Sequence, residues 1–234
     1  MDPHDAPRQC GNEANLSSAL ICESPWLFRE LYRFNFAPAD YLHPSRRPSF
    51  MPALRDPAVW DCSRARPGLS LHILDKTGLA GTSSFDPRIP EWPLLLLDAE
   101  RLQRLARHIG AAVLGPRVRR AITRAEVLQW KGLLGPQLYQ FSMTATLFPQ
   151  PEQEPELEGS HPIESLGYRW IDISLRAAPE SLLARSRLKY PDWVEKTSDT
   201  SPKAKLLTWA VLRTLERKWY SLFAQRAAQK PLSP

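Results

Sequence analysis

The side chains that most often carry chemistry are present in this chain, but they are not gathered. The five histidines, His4, His43, His72, His108 and His161, stand far apart, and none belongs to a His-Glu-x-x-His pair that could hold a metal on one helix face. There is no Gly-x-Ser-x-Gly nucleophile turn, no glycine-rich phosphate loop and no clustered pair of aspartates. Cys10, Cys22 and Cys62 are odd in number and lack Cys-x-x-Cys spacing, so neither a zinc site nor a disulfide framework is expected, and the thiols should be reduced. His108 shares its helix with Arg104 and Arg107 and reads as a boundary residue rather than a base. His43, between Leu42 and Pro44, reads as the maker of a structural hydrogen bond at a turn. No catalytic, cofactor-binding or metal-binding residue is assigned, and the eight tryptophans read as core anchors or interface hot spots.

What the chain does concentrate is positive charge. The formal net charge is +6 and the pI is about 9.4. Between Asp98 and Lys131 stand Arg101, Arg104, Arg107, Arg117, Arg119, Arg120, Arg124 and Lys131, against Asp98, Glu100 and Glu126. Arginines on helices have three uses: binding phosphate, pairing with an acidic protein surface, or solvating a face. A helix-turn-helix could be drawn over 116–134, but the leucines and the tryptophan there read as belonging to a core. Arg117, Arg119, Arg120 and Arg124 follow Gly115-Pro116, a break from which side chains could reach a partner, and they form the candidate partner-binding set.

The elements that position these residues read as helices separated by proline, an all-α fold. Residues 1–23 are polar and without periodicity, and are expected to be a flexible tail. Ser24-Pro25 starts a short helix. The prolines at 48, 52, 57, 67, 87 and 90 forbid any long element and make 44–92 an irregular wrap, with room for two turns at Pro52–Trp60 and for a strand or one helical turn at Ser70–Leu74. From Pro93, Leu94, Leu97, Leu102, Leu105, Ile109 and Val113 recur at near-helical spacing until Gly115-Pro116, which should end one helix and start the next. Thr123-Arg124-Ala125-Glu126 has the form of a capping box. Gly135-Pro136 repeats the stop and restart, leading into a helix whose Leu138, Tyr139, Phe141, Met143 and Leu147 should be buried. The proline- and glutamate-rich stretch 149–162 reads as a solvated loop. Two more helices are expected at Pro162–Leu175 and Pro179–Leu188. A final one of about six turns should start at Ser201-Pro202, bearing Leu206, Leu207, Val211, Leu215, Trp219, Leu222 and Phe223 on one stripe. Residues 24–230 are read as a single helical domain.

One segment is distinctive in its wording: Arg33-Phe34-Asn35-Phe36-Ala37-Pro38-Ala39-Asp40-Tyr41-Leu42-His43-Pro44. Ala37 and His43 each precede a proline and should bracket one short turn or helix that begins at Pro38, with Tyr41 and Leu42 facing whatever the two phenylalanines cover. The segment resembles the N-terminal signature of the K subunit of the type III secretion sorting platform, the YscK/SctK family. Ile109-Gly110-Ala111-Ala112-Val113-Leu114-Gly115 with Arg117-Val118-Arg119-Arg120, and Gly132-Leu133-Leu134-Gly135-Pro136, are similar to that family's central helix end and its Leu-Ile-Gly-Pro break.

The resemblance implies a non-enzymatic cytoplasmic adaptor with no cofactor. It would link the cytoplasmic domain of the inner-membrane ring D subunit to the Q subunit, and through it to the L subunit and the ATPase. It would lie peripheral to the inner membrane, without inserting in it, and would be needed for effector secretion. Phe34, Phe36, Pro38, Tyr41, Leu42 and His43 would be the family's structural signature. Two other readings stand beside it, a basic helical nucleic-acid-binding regulator and a small helical enzyme or chaperone. Without a signal-peptide pattern at Met1-Asp2-Pro3-His4-Asp5, and with the longest apolar run at Leu94–Leu97, the sequence reads as a chain kept inside the cell.

Overall fold

The computed structural model describes residues 24–50, 57–149, 157, 160–194 and 201–228. The tail expected at 1–23, the first turn of Pro52–Trp60 and most of the loop expected at 149–162 lie outside the described residues. Every regular element among the described residues is helical. Two compact units share the described residues: the first is built from those up to Leu96 together with Ala178–Asp192, the second from those between Leu97 and Ala177 and from Trp193 onward.

In the first unit, α1 (Pro25–Phe36) begins with proline at its first position, where the missing N–H costs nothing, and buries Leu27, Leu31, Phe34 and Asn35 along one stripe. Ala37, at φ −121°, ψ 55° and so outside the helical region, ends it before Pro38. Two 3₁₀ turns follow at Pro38–Asp40 and Pro44–Arg46, then α2 (Arg47–Phe50), α3 (Pro57–Asp61), α4 (Arg66–Lys76) and α5 (Trp92–Leu95). The helix α4 is longer than the prolines suggested. Pro67 sits in its first turn, where proline is tolerated, so the expected strand or single turn at Ser70–Leu74 is instead the middle of an 11-residue helix. The unit is completed from far along the chain by α9 (Glu180–Arg187).

The second unit centres on α6 (Ala99–Arg120), capped by the Asp98 carboxylate, which accepts from the Arg101 N–H at 2.8 Å. All residues from Ile109 to Gly115 are buried, so the middle of α6 is surrounded. It is followed by α7 (Arg124–Thr144), a 3₁₀ turn at Ala145–Leu147, α8 (Pro162–Ser174), α10 (Pro202–Leu215) and α11 (Arg217–Ala228). Where α6 and α8 cross, glycines face backbone. A Cβ on Gly110 would collide with the Ile163 carbonyl, and one on Gly167 with the backbone of Ala106. Ser174 Oγ and Thr208 Oγ1, 2.9 Å apart and buried, tie α8 to α10.

Contrary to expectation, Gly115-Pro116 does not end a helix, because α6 runs through it to Arg120. Gly115 serves close approach instead, leaving room for the Arg119 guanidinium and the Ser142 carbonyl that a Cβ would crowd. Gly135-Pro136 does interrupt the backbone, since Gly135 takes φ 73°, ψ 165°, a conformation open to glycine alone without strain. The expected burial of α7 is corrected too: Leu134, Leu138 and Ser142 are its buried positions, while Leu128, Leu133 and Met143 are exposed, as is Ile122 before it. The single C-terminal helix is in fact broken at Glu216 into α10 and α11, with Leu207, Val211 and Leu212 buried but Leu206 and Leu222 turned outward.

Candidate partner-binding surfaces

The aromatic segment closes on itself. The 3₁₀ turn at Pro38 reverses the chain so that the Tyr41 hydroxyl donates to the Phe34 carbonyl at 2.7 Å, while the two rings stack at 5.7 Å. Trp92 meets Phe34 edge-on at 5.8 Å. Burial pushes the Tyr41 phenol far above its ordinary range, against the smaller opposing pull of the Arg185 and Arg33 charges. Leu42 is buried, and the His43 N–H donates to the Leu188 carbonyl at 2.9 Å. The His43 ring caps the following turn, its Nδ1 accepting from the Ser45 N–H at 3.2 Å. Burial, with Arg46 and Arg47 adding to it and Asp192 opposing, holds the imidazole below its usual range.

Phe34 and Tyr41 therefore pack inward, but Phe36 does not join them. It is 40% exposed and lies beside Tyr32 at 5.0 Å and Phe85 at 6.0 Å, on another side of α1. Helical geometry accounts for this, since residues two apart on a helix point in different directions.

Two buried cations, to which the sequence reading gives no part, hold this unit together. Arg185, 1% exposed, donates to the carbonyls of Thr82 at 2.7 Å and Leu79 at 2.9 Å, with longer bonds to those of Ser181 and Asn35. Lys189 donates to the Leu95 carbonyl at 2.5 Å and places its ammonium over the Phe34 and Tyr41 rings, 4.8 and 5.2 Å from their centres. No sequence signal separates these two from ordinary surface basic residues.

The arginine set belongs to the second unit. Arg117, Arg119 and Arg120 form the last turn of α6, where the free carbonyls favour positive charge, and Arg124 opens α7. They do different things. Arg117 stacks on Trp130 at 5.5 Å, and Arg119 reaches inward to donate to the Ser142 carbonyl at 2.7 Å. Arg120, with a 3.3 Å bond to the Pro116 carbonyl, and Arg124 are exposed. Between them the capping box is complete: Thr123 Oγ1 accepts from the Glu126 N–H, and the Glu126 carboxylate takes the N–H groups of Ile122 and Thr123. Those bonds hold the Glu126 carboxyl below its usual range. Toward the start of α6, Arg104 and Arg101 instead pair with Glu216 at the α10–α11 break, and Arg107 with Glu164. His108 is half-buried, donates from Nδ1 to the Arg104 carbonyl at 2.8 Å and meets Phe141 edge-on. Among the described residues, no group of three His, Cys, Asp or Glu stands close enough to hold a metal ion.

The family model described as YOP proteins translocation protein K (YscK) matches residues 30–205, from within α1 to within α10. The chain belongs to the YscK family. As a YscK-family member it is a component of a type III secretion system, and it interacts within that apparatus. No curated protein and no solved structure shows significant similarity to it. The match takes in the whole aromatic signature and all four arginines of the candidate set. Among the described residues, no helix of this YscK chain is long and apolar enough to cross a membrane.

Proposed function

We propose that this chain is a non-enzymatic adaptor in the cytoplasm, joining the cytoplasmic domain of the inner-membrane ring D subunit to the Q subunit and, through it, to the L subunit and the ATPase. The family match over residues 30–205 carries this reading. It runs through both units, in keeping with residues 24–230 acting together as one K-type domain. Bridging of this kind needs two separate surfaces and no cofactor.

The docking surface for the ring domain is the basic end of α6 and the start of α7. Arg120 and Arg124 supply its exposed charge, with Arg117 beside Trp130 and Arg119 anchored on the Ser142 carbonyl. Charge at such a surface speeds encounter and selects an acidic partner more than it adds dry contact area. The signature residues Phe34, Pro38, Tyr41, Leu42 and His43 build the first unit, and Phe36 stands at its surface.

The test is a pull-down from secreting cells. Recovery of the Q, L and ATPase subunits supports the adaptor, and their absence from a preparation that retains secretion overturns it. With purified proteins, Arg120→Glu with Arg124→Glu should weaken binding to the ring D domain, most strongly at low salt, while Q binding and the melting temperature hold. Unchanged ring binding at low salt would move the docking surface elsewhere.

A further inference from the structure

The left-handed Gly135 gives α7 a kink, and at the kink lies an open groove of about 420 Å³ lined by Lys131, Pro136, Tyr139, Gln140, Met143 and Thr144. Met143 is 39% exposed although it lies within a helix. Lys131 is the one charged side chain in this lining. Its ammonium leans over the Tyr139 ring, 5.3 Å from the centre, and it has no ion-pair partner among the described residues. The adjoining sequence is basic as well. From Pro116 to Thr144 the sequence offers Arg117, Arg119, Arg120, Arg124 and Lys131 against the single acid Glu126, whose carboxylate is already taken by the capping box.

We propose that this groove takes an acidic segment of a partner protein carrying one large apolar side chain. The apolar group enters between Pro136, Tyr139 and Met143, and a neighbouring carboxylate meets the Lys131 ammonium. Charge complementarity selects the occupant: an unpaired cation at the wall and a basic approach favour an acidic chain, and the methionine and proline favour an apolar anchor within it. A nucleic acid fits less well, because it would need cations spaced along the groove and several rings to stack on, whereas the lining has one cation and one aromatic ring. The inference rests on the reading that the basic end of α6 and start of α7 face a partner.

The chain has three methionines, Met1, Met51 and Met143, so carbon-13 labelling of the methionine methyls gives a readout at the groove. The signal of Met143 is assigned with Met143→Leu. The full chain is titrated with a synthetic amphipathic peptide bearing glutamates on one face and leucines on the other, then with the same peptide carrying serine for leucine, and with a short oligothymidylate. The acidic leucine peptide should shift the Met143 methyl more than those of Met1 and Met51, and the serine peptide should not. Lys131→Glu, at an exposed position, should weaken the peptide about tenfold or more with an unchanged melting temperature, as expected for a lost hydrogen bond between charged groups. A Met143 signal that stays put at saturating peptide, equal binding by Lys131→Glu, or tighter binding of oligothymidylate at this methyl overturns the proposal. These measurements involve no secretion subunit, so their failure is distinguishable from loss of the ring-binding reading tested at Arg120 and Arg124.

Discussion

The Lys189 ammonium stands 4.8 Å from the centre of the Phe34 ring, with the Leu95 carbonyl as acceptor. A lysine only 4% exposed needs other groups to replace its hydration. Two aromatic faces and a carbonyl are among the groups that do so.

Lys189→Met keeps the length of the side chain but leaves the Leu95 carbonyl without that donor and removes the cation from both rings. It should cost about 1–3 kcal/mol in urea unfolding, less than the gross value of the contacts because a desolvated charge is also removed. Lys189→Glu should prevent the fold, since it brings a negative charge against the ring faces and the carbonyl. A Lys189→Met variant as stable as the parent would mean that the ammonium contributes nothing net.

Gly110→Ala and Gly167→Ala each place a methyl against backbone where α6 and α8 cross. Backbone cannot rotate aside as a side chain can. Each variant should lose at least about 1–3 kcal/mol by thermal melting, the usual cost of overpacking. Gly132→Ala, where a Cβ meets nothing, is the control and should be neutral or slightly stabilising.

Arg119 and Arg120 are neighbours with different duties. Arg119→Ala deprives the buried end of the Ser142 bridge of its donor and should destabilise by about 1–3 kcal/mol, whereas Arg120→Ala should stay within about 0.5 kcal/mol. Equal effects in guanidinium unfolding would remove the distinction between structural and docking arginines.

His43 and His108 are both held below the ordinary imidazole range, chiefly by burial. A histidine whose folded pKa is depressed binds its proton more readily when unfolded. Its contribution to stability is therefore fully present above the unfolded value, near 6.5, and is lost as pH falls through the folded value. The melting temperature should drop between pH 7 and 5. The slope should lessen in His43→Gln and again in the double variant with His108→Gln, and a slope unaltered by both would assign the acid sensitivity to other groups.

Much of the fold was legible because local chemistry and tertiary need agreed. Pro25 and Pro202 stand at helix starts, and Thr123 with Glu126 forms the capping box its spacing announced. The two Gly-Pro pairs show where such reading stops. The same dipeptide leaves one helix running and interrupts another, because Gly115 answers to the Ser142 carbonyl on a neighbouring helix while Gly135 answers to its own backbone dihedrals. The break at Glu216 was equally invisible, as its carboxylate is bound by Arg104 and Arg101 from 112 and 115 residues upstream. In the candidate surfaces, the four arginines could be found by charge alone. Which of them turns inward could not, and neither could the outward turn of Phe36, since both depend on how a helix is rotated against its neighbours.

The first unit is not a continuous piece of chain, because Ala178–Asp192 return to complete it after α6, α7 and α8 have been laid down. On the ribosome, Arg185 and Lys189 therefore arrive last, and the carbonyls of Leu79 and Leu95 and the ring of Phe34 must wait for them. A fragment ending at Leu96 would keep the signature yet lack the two cations that hold it. Any dissection meant to isolate the signature should instead join residues 24–96 to 178–192 through a short linker.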